Sequence, residues 1–487
     1  MACEIETAEC IAATGVCIAP SPVTSPSPVS PKRQSETRRN LRISVADGLA
    51  CSIMIGIGET YLPAFALALG TGQVLAGLIA SVPIFAGAML QLISPAAIRW
   101  LGSNRRWVIG CVTVQAISFL PMLAAALVGH ISTALLFLLA AVYWASGMAS
   151  TPAWNHWIDT LVPQRIRARY MGRRSRFLQA GILAGFVGGG LALEFGETLG
   201  RPLWAFAMLF LVASICRFIS AGFLLAQSEP VHVGAQGSIA GLRGACRRLR
   251  KDREGRLLVY LWALQMAAQT AGPFYAPFML GLLKFSYLKY MLIVSAALIT
   301  KAVALPTLGK VAHRFGARRL LTFGGIAVIP LSTLWILSQG TTYLLSVQVI
   351  SGVCWAAYEL ATLLMFFEAV ERRQRIGMLT LYNIGYAAAT VAGALCGGAV
   401  LAFVGEPGGY FAVFGLSAIA RFATMPLLLR IGAAAPPIIA DTISDAPAET
   451  AAAEFADEEV DLAAPPQVIE MIPPFAAVED LSGSQVA

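Results

Sequence analysis

Twelve apolar runs, each about the length needed to cross a lipid bilayer as a helix, constrain this chain more than any single motif. They lie near 44–69, 74–95, 107–129, 132–158, 177–196 and 203–226, then 257–282, 288–309, 319–338, 342–369, 378–404 and 409–430. One long polar stretch, Ser228 to Arg256, divides them six and six, and it carries seven of the 35 Lys and Arg residues. The chain is 57% apolar and 13% charged, with mean hydropathy +0.70, whereas soluble domains carry about 25% charge. A single aqueous core cannot hide that much apolar surface, so lipid is the expected solvent for most of it.

The loops between the runs set the expected orientation. The amino-terminal arm (Lys32, Arg33, Arg38, Arg39, Arg42) and every second loop after it hold 28 bases. The alternate loops hold three: Arg201, Lys284 and Lys289. This bias places both termini in the cytoplasm of a multi-pass protein of the cell membrane, and it requires an even number of spans. The net charge of +8 does not point to nucleic acid, because the bases are scattered through short loops. Anionic headgroups are their natural partner.

Residues 1–42 are rich in Ser and Pro, and residues 432–487 are acidic, with eleven Asp and Glu and no base after Arg430. Both tails are expected to be disordered and cytoplasmic. The intended division is 43–227 for one bundle, 228–256 for a basic linker and 257–431 for a second bundle. The nine cysteines show no pairing or metal-ligand spacing. The four histidines are dispersed, and there is no phosphate-binding GxxxxGK[ST], no HExxH and no GxSxG. No cofactor, metal or enzymatic step is expected.

The two halves read as copies. Tyr61-Leu-Pro63 recurs as Tyr275-Ala-Pro277, 214 residues on, and the same offset relates Pro95, Gly102 and Arg105 to Gly309, Gly316 and Arg319. Trp144-Ala recurs at Trp355-Ala, and Arg217-Phe-Ile-Ser at Arg421-Phe-Ala-Thr, 204 residues on. Such ordered matches indicate a duplicated six-helix unit. Over residues 40–431 the chain resembles the major facilitator superfamily. The family's loop signature, Gly-x-Leu-Ala-Asp-Arg-x-Gly-Arg-Arg/Lys, is matched by GKVAHRFGARR from Gly309 to Arg319, with His313 at the acidic position and Arg314 after it. The first-half copy, PAAIRWLGSNRR, is weaker and has Arg99 at that position.

The resemblance implies an all-α membrane fold of twelve helices in two pseudo-symmetric bundles. It further implies a secondary active transporter that moves a small solute by alternating access as a monomer. Its cytoplasmic charge latch would involve Arg99, Arg105, His313, Arg314 and Glu368, with Asp159 supplying the missing carboxylate. Span 5 carries Gly181, Gly185, Gly188 and Gly189, similar to the family's antiporter pattern but with Phe186 in place of Pro. Either export or close helix packing explains those glycines.

In such a fold spans 1, 4, 7 and 10 line the cavity, so polar groups deep in them are candidate binding residues. Glu59, fifteen residues past Ser44, lies ~22 Å along its helix. Glu359 lies near mid-span. A carboxyl at that depth costs ~2.5–3.5 kcal/mol to insert and needs a partner or a task, such as carrying a proton. Gln265, Gln269, Thr270, Tyr358, Trp144, Trp154 and Asn155 would add amide, hydroxyl and aromatic surface for a small amphipathic solute. Lys301 is expected either to snorkel to the cytoplasmic surface or to pair with Glu359. Arg217 and Arg421 are expected to reach the cytoplasmic headgroups, and Asp47 to lie beside them. Proton-coupled export is the leading functional reading. Uptake of a nutrient, lipid flipping and a non-transporting receptor are the alternatives.

Overall fold

A computed structural model describes residues 31–163, 166–229, 253–369 and 375–432. Most of the basic linker, the acidic tail and the first 30 residues lie outside these, and so do the readings placed there. Among the described residues the chain forms helices joined by short turns and loops, with no strand.

The twelve spans are as follows. α1 is Pro31–Ile57 with Leu62–Ala68, α2 is Gln73–Leu78 with Val82–Gln91, and α3 is Asn104–Val128. α4 is Thr133–Leu161, α5 Arg167–Thr198 and α6 Pro202–Ala226. In the second half α7 opens as Arg253–Ala271, α8 is Tyr287–Phe315, and α9 is Ala317–Ala327 with Leu331–Leu337. α10 is Thr341–Ala369, α11 Arg375–Val404, and α12 Gly408–Ala423 with Met425–Gly432. Eleven of these are long and apolar enough to cross a membrane. The remaining one, α7, is diluted by Arg253, Glu254, Arg256, Gln265 and Gln269 and breaks after 19 residues.

The copies break at the same place. α1 is interrupted by a 3-10 turn at Glu59–Tyr61, after Gly58 and before Pro63. α7 is interrupted by a 3-10 turn at Gly272–Phe274, where Pro273 lacks the N–H a helix needs, and resumes at Tyr275–Pro277 and Phe278–Leu282. Thr60 partly satisfies the disrupted ladder of α1 by donating to the Gly56 carbonyl at 2.5 Å.

One boundary differs from the sequence reading. Residues 31–42, taken as tail, begin α1. Pro31 occupies the one helical position where its missing N–H costs nothing, and the residues after it include no breaker. The extension is anchored where Asn40 Nδ2 donates to Ser228 Oγ (2.6 Å) and Tyr170 to the Leu41 carbonyl (3.0 Å).

Each half packs mainly on itself: α1 on α5 and α6, α3 on α4 and α6, then α7 on α11 and α8 on α10. Between halves the main contacts are α2 with α11 and α5 with α8. An apolar cluster shared by both halves, including Tyr61, Phe65, Phe186, Phe206, Phe278 and Tyr290, lies at the end away from the basic loops. Towards the basic loops each half has its own cluster, built around Trp157 and Leu224 in the first and Tyr260 and Leu321 in the second. Among the described residues the bundles therefore share their largest apolar contact at the end away from the basic loops, with a smaller contact of Ile84 and Ala88 of α2 on Ala387 of α11.

Glycines permit the closest crossings. A Cβ on Gly185 of α5 would stand 2.6 Å from the Ile53 carbonyl of α1, and one on Gly189 would stand 2.6 Å from the Tyr61 ring. Gly181 likewise abuts Leu49 at 2.9 Å. Gly188, grouped with these by its motif position, meets nothing within 4 Å and is not a packing residue. Gly393 and Gly397 of α11 make the equivalent approach to Met266 and Thr270 of α7.

Candidate functional site

Between the halves lies a cavity of about 290 Å³, lined by all three readings of polar chemistry the membrane normally excludes: carboxyls, cations and amides. Its first-half wall is narrow. Glu59 reaches it from the 3-10 turn of α1 and is 8% exposed. Tyr143 of α4 donates to Glu59 Oε2, while Oε1 has no partner. The Tyr143 ring is fixed edge-on between Phe119 (5.1 Å) and Trp144 (5.9 Å). Behind Glu59, near enough for its charge to act on the carboxyl, Arg217 donates through Nε to Gln115 Oε1 at 2.7 Å. Arg217 also donates to Ser220 Oγ (3.1 Å), which donates in turn to Asp47 Oδ1 (2.6 Å).

The second-half wall is larger. Lys301 of α8 and Glu359 of α10 form an ion pair whose side chains are 6% and 11% exposed. Tyr382 and Tyr386 of α11 stand close to that carboxylate. Gln265 Nε2 donates to Thr390 Oγ1 at 2.9 Å and the side chain also hydrogen-bonds Tyr386. Tyr358 packs edge-on against Trp355 at 5.7 Å. Arg421 of α12 completes this wall. It donates to the Val328 carbonyl (2.8 Å) and to Tyr275, with its guanidinium 5.8 Å from the Trp355 ring centroid.

Of the residues singled out from sequence, Glu59, Glu359, Gln265, Gln269, Tyr358 and Trp144 line this one cavity. Three do not. Thr270 is one residue, about 100° of helix, past Gln269, and it donates to its own Met266 carbonyl at 3.1 Å. Trp154 lies ten residues past Trp144, about 15 Å nearer the basic loops and on another face, packed 4.3 Å from the Arg174 guanidinium. Asn155 follows it, half-buried and away from the cavity.

The proposed latch is not assembled among the described side chains. Arg99, His313 and Arg314 are exposed and pair with no carboxylate there. The side chains of Asp159 and Glu368 fall outside the description. Arg105 donates to the Leu225 carbonyl, and the carboxylate beside it is Glu229, which accepts from Ser103 Oγ (2.5 Å) and from the backbone of Asn104 (2.9 Å). Glu229 thereby caps the N-terminus of α3, where a negative charge is favoured.

Two further expectations are overturned. Arg217 and Arg421 do not reach headgroups. They are 6% and 2% exposed and point inward, because each is held by acceptors within its own bundle. Asp47, expected among headgroups, is 4% exposed beneath Ser220. Lys301 resolves in favour of pairing over snorkelling. The signal for Arg421 was present: an arginine kept at the same place in both copies of an otherwise apolar helix.

Comparison with known proteins agrees with this architecture. Residues 257–443 match the model of the family described as Major Facilitator Superfamily. No curated protein matches the chain by sequence. Among solved structures, a mutant of the nucleoside transporter NupG superposes with TM-score 0.64 at 17% identity, covering 80% of this chain and 99% of that one. A bacterial homologue of the human lysosomal transporter Spinster, in an inward-facing and unoccupied conformation, gives 0.57 at 16% identity over 83% and 96%. The fucose:proton symporter FucP of E. coli gives 0.54 at 13% identity over 80% and 98%.

Proposed function

We propose that the chain, whose second half matches the major facilitator superfamily model, is a secondary active transporter of that family moving a small solute by alternating access, with proton movement as the coupled reaction. The observation that carries this reading is the cavity itself. It holds a buried carboxyl with one unbonded oxygen, Glu59, and a buried ion pair, Lys301–Glu359, on walls contributed by the two bundles, whose largest shared apolar cluster lies at one end. A carboxyl in such a place changes its proton occupancy when its access to water changes, which is the requirement for coupling.

In this reading the halves 43–227 and 257–431 rock about the cavity, and the joined end is the outer gate. Both termini and the basic loops face the cytoplasm of the cell membrane, so the conformation is inward-facing. The protein acts as a monomer embedded in the bilayer. Export is the proposed direction, from the glycine pattern of α5, and nutrient uptake is the competing outcome.

The test is flux in proteoliposomes under an imposed pH gradient, for the wild-type chain and for Glu59→Gln and Glu359→Gln. Gradient-driven flux lost in either variant supports proton coupling, whereas wild-type flux in both rejects it. The sign of flux against the gradient separates export from uptake.

A further inference from the structure

The two halves keep an arginine at the same position and surround it differently. Arg421 follows Arg217 by 204 residues, and both are buried on the last helix of their bundle. Arg217 has acidic company: Asp47 reaches it through Ser220, and the charge of Glu59 lies near. Applying the α1-to-α7 offset of 214 puts Leu261 opposite Asp47 and Pro273 opposite Glu59. Both carboxylates of the first copy are therefore apolar in the second. In place of the Gln115 side chain of α3, Arg421 has only the backbone carbonyl of Val328 on α9.

What remains around Arg421 is neutral. It is 2% exposed, its partners are the Val328 carbonyl and the Tyr275 hydroxyl, and its Nε has no hydrogen-bond acceptor. No acidic side chain among the described residues pairs with it. It nevertheless lines the cavity, where the other cation, Lys301, already has Glu359 as counter-ion. A buried guanidinium without a counter-charge is costly, and its planar fork matches a carboxylate or related oxyanion in a two-bond geometry. Beside it stand Trp335 and Tyr275, 4.7 Å apart, and Trp355, all lining the same cavity.

We propose that the transported solute is an organic anion, a carboxylate or kindred oxyanion on a flat apolar body, and that Arg421 is the residue that binds its charge. The aromatic side chains take the apolar body, and the solute supplies the counter-ion that the second copy of the repeat lost. This proposal rests on the transporter reading above and narrows its substrate class.

The experiment is equilibrium binding to the full chain in detergent, followed by tryptophan fluorescence, with probes that share a ring and differ in charge: benzoate, benzamide and benzylamine, then indole-3-acetate and its amide. The anions are expected to bind at least about tenfold more tightly than their neutral and cationic counterparts. Arg421→Gln is expected to weaken the anions about ten- to a hundredfold, with partial retention in Arg421→Lys. Leu261→Asp, which returns the carboxylate of the first copy, is expected to abolish anion binding without removing the arginine. Equal binding across each series, no binding of any anion, or loss in Lys301→Met with none in Arg421→Gln would each overturn the proposal. Gradient-driven flux of a neutral or cationic solute would sink the anion proposal and leave the transporter reading intact, whereas anion binding without flux would do the reverse.

Discussion

The Lys301–Glu359 pair predicts strong non-additivity between its two halves. With side chains only 6% and 11% exposed, neither charge can be left alone cheaply when the other is removed. Breaking a buried pair from one side costs about 3–5 kcal/mol, because an uncompensated charge remains. Lys301→Met and Glu359→Gln are each expected to lose stability on that scale. The double variant removes both charges and is expected within about 1 kcal/mol of the parent, giving a coupling energy of about 3 kcal/mol or more. Chemical unfolding in detergent, for the four proteins of this cycle, measures all of these quantities. Additivity within about 0.5 kcal/mol would refute the reasoning.

Three other outcomes follow from the packing. Gly185→Ala is expected to cost about 1–3 kcal/mol, because its Cβ would stand 2.6 Å from the Ile53 carbonyl, while Gly188→Ala, with nothing within 4 Å, is expected to be neutral; thermal unfolding compares them. Tyr143→Phe keeps the ring contact with Phe119 at 5.1 Å but leaves Glu59 without its hydroxyl donor, at a cost of about 1–3 kcal/mol, and it is expected to displace the pH profile of flux. Replacing Glu194 and Gln73 together by Ala removes the acceptor of the Leu288 amide (2.9 Å) and the partner of Glu406 (2.5 Å). In a Ser351→Cys background this is expected to make the cavity thiol reactive towards an impermeant maleimide from the outer side, where the parent stays unreactive.

Much of this architecture was legible because the bilayer imposes length and charge rules on the sequence itself. The spans and the duplication, with Tyr61-Leu-Pro63 recurring as Tyr275-Ala-Pro277, leave marks in the order of residues, whereas the 3-10 interruptions at Glu59–Tyr61 and Gly272–Phe274 emerge only in the fold. Depth was legible too, which is why Glu59 and Glu359 could be named. Direction around the helix axis was not. Depth alone points to Thr270 and Trp154, and a single residue of rotation removes the first from the cavity. For the arginines the error was energetic. Hydropathy prices a buried guanidinium as unfavourable and so favours a route to the headgroups, but it carries no account of Gln115, Ser220, Tyr275 or the Val328 carbonyl, which lie far away in sequence and meet the charge only in the fold.

The distribution of these contacts also decides what can move. The bonds that fix the cavity charges run within one half: Tyr143 to Glu59, and Lys301 to Glu359. The halves meet at the gate through weaker contacts, including Gln73 with Glu406, Glu194 with the Leu288 amide, and Tyr290 with Tyr61 and Phe186 at 6.4 and 6.0 Å. Contacts of these kinds contribute about 0.5–1.5 kcal/mol each and add to the apolar burial of the cluster that the halves share. Under the proposed alternating-access reading, a rocking motion that opens this end leaves both buried charge arrangements intact, so substitutions at the charges and substitutions at the contacts between the halves are expected to have separable effects on flux.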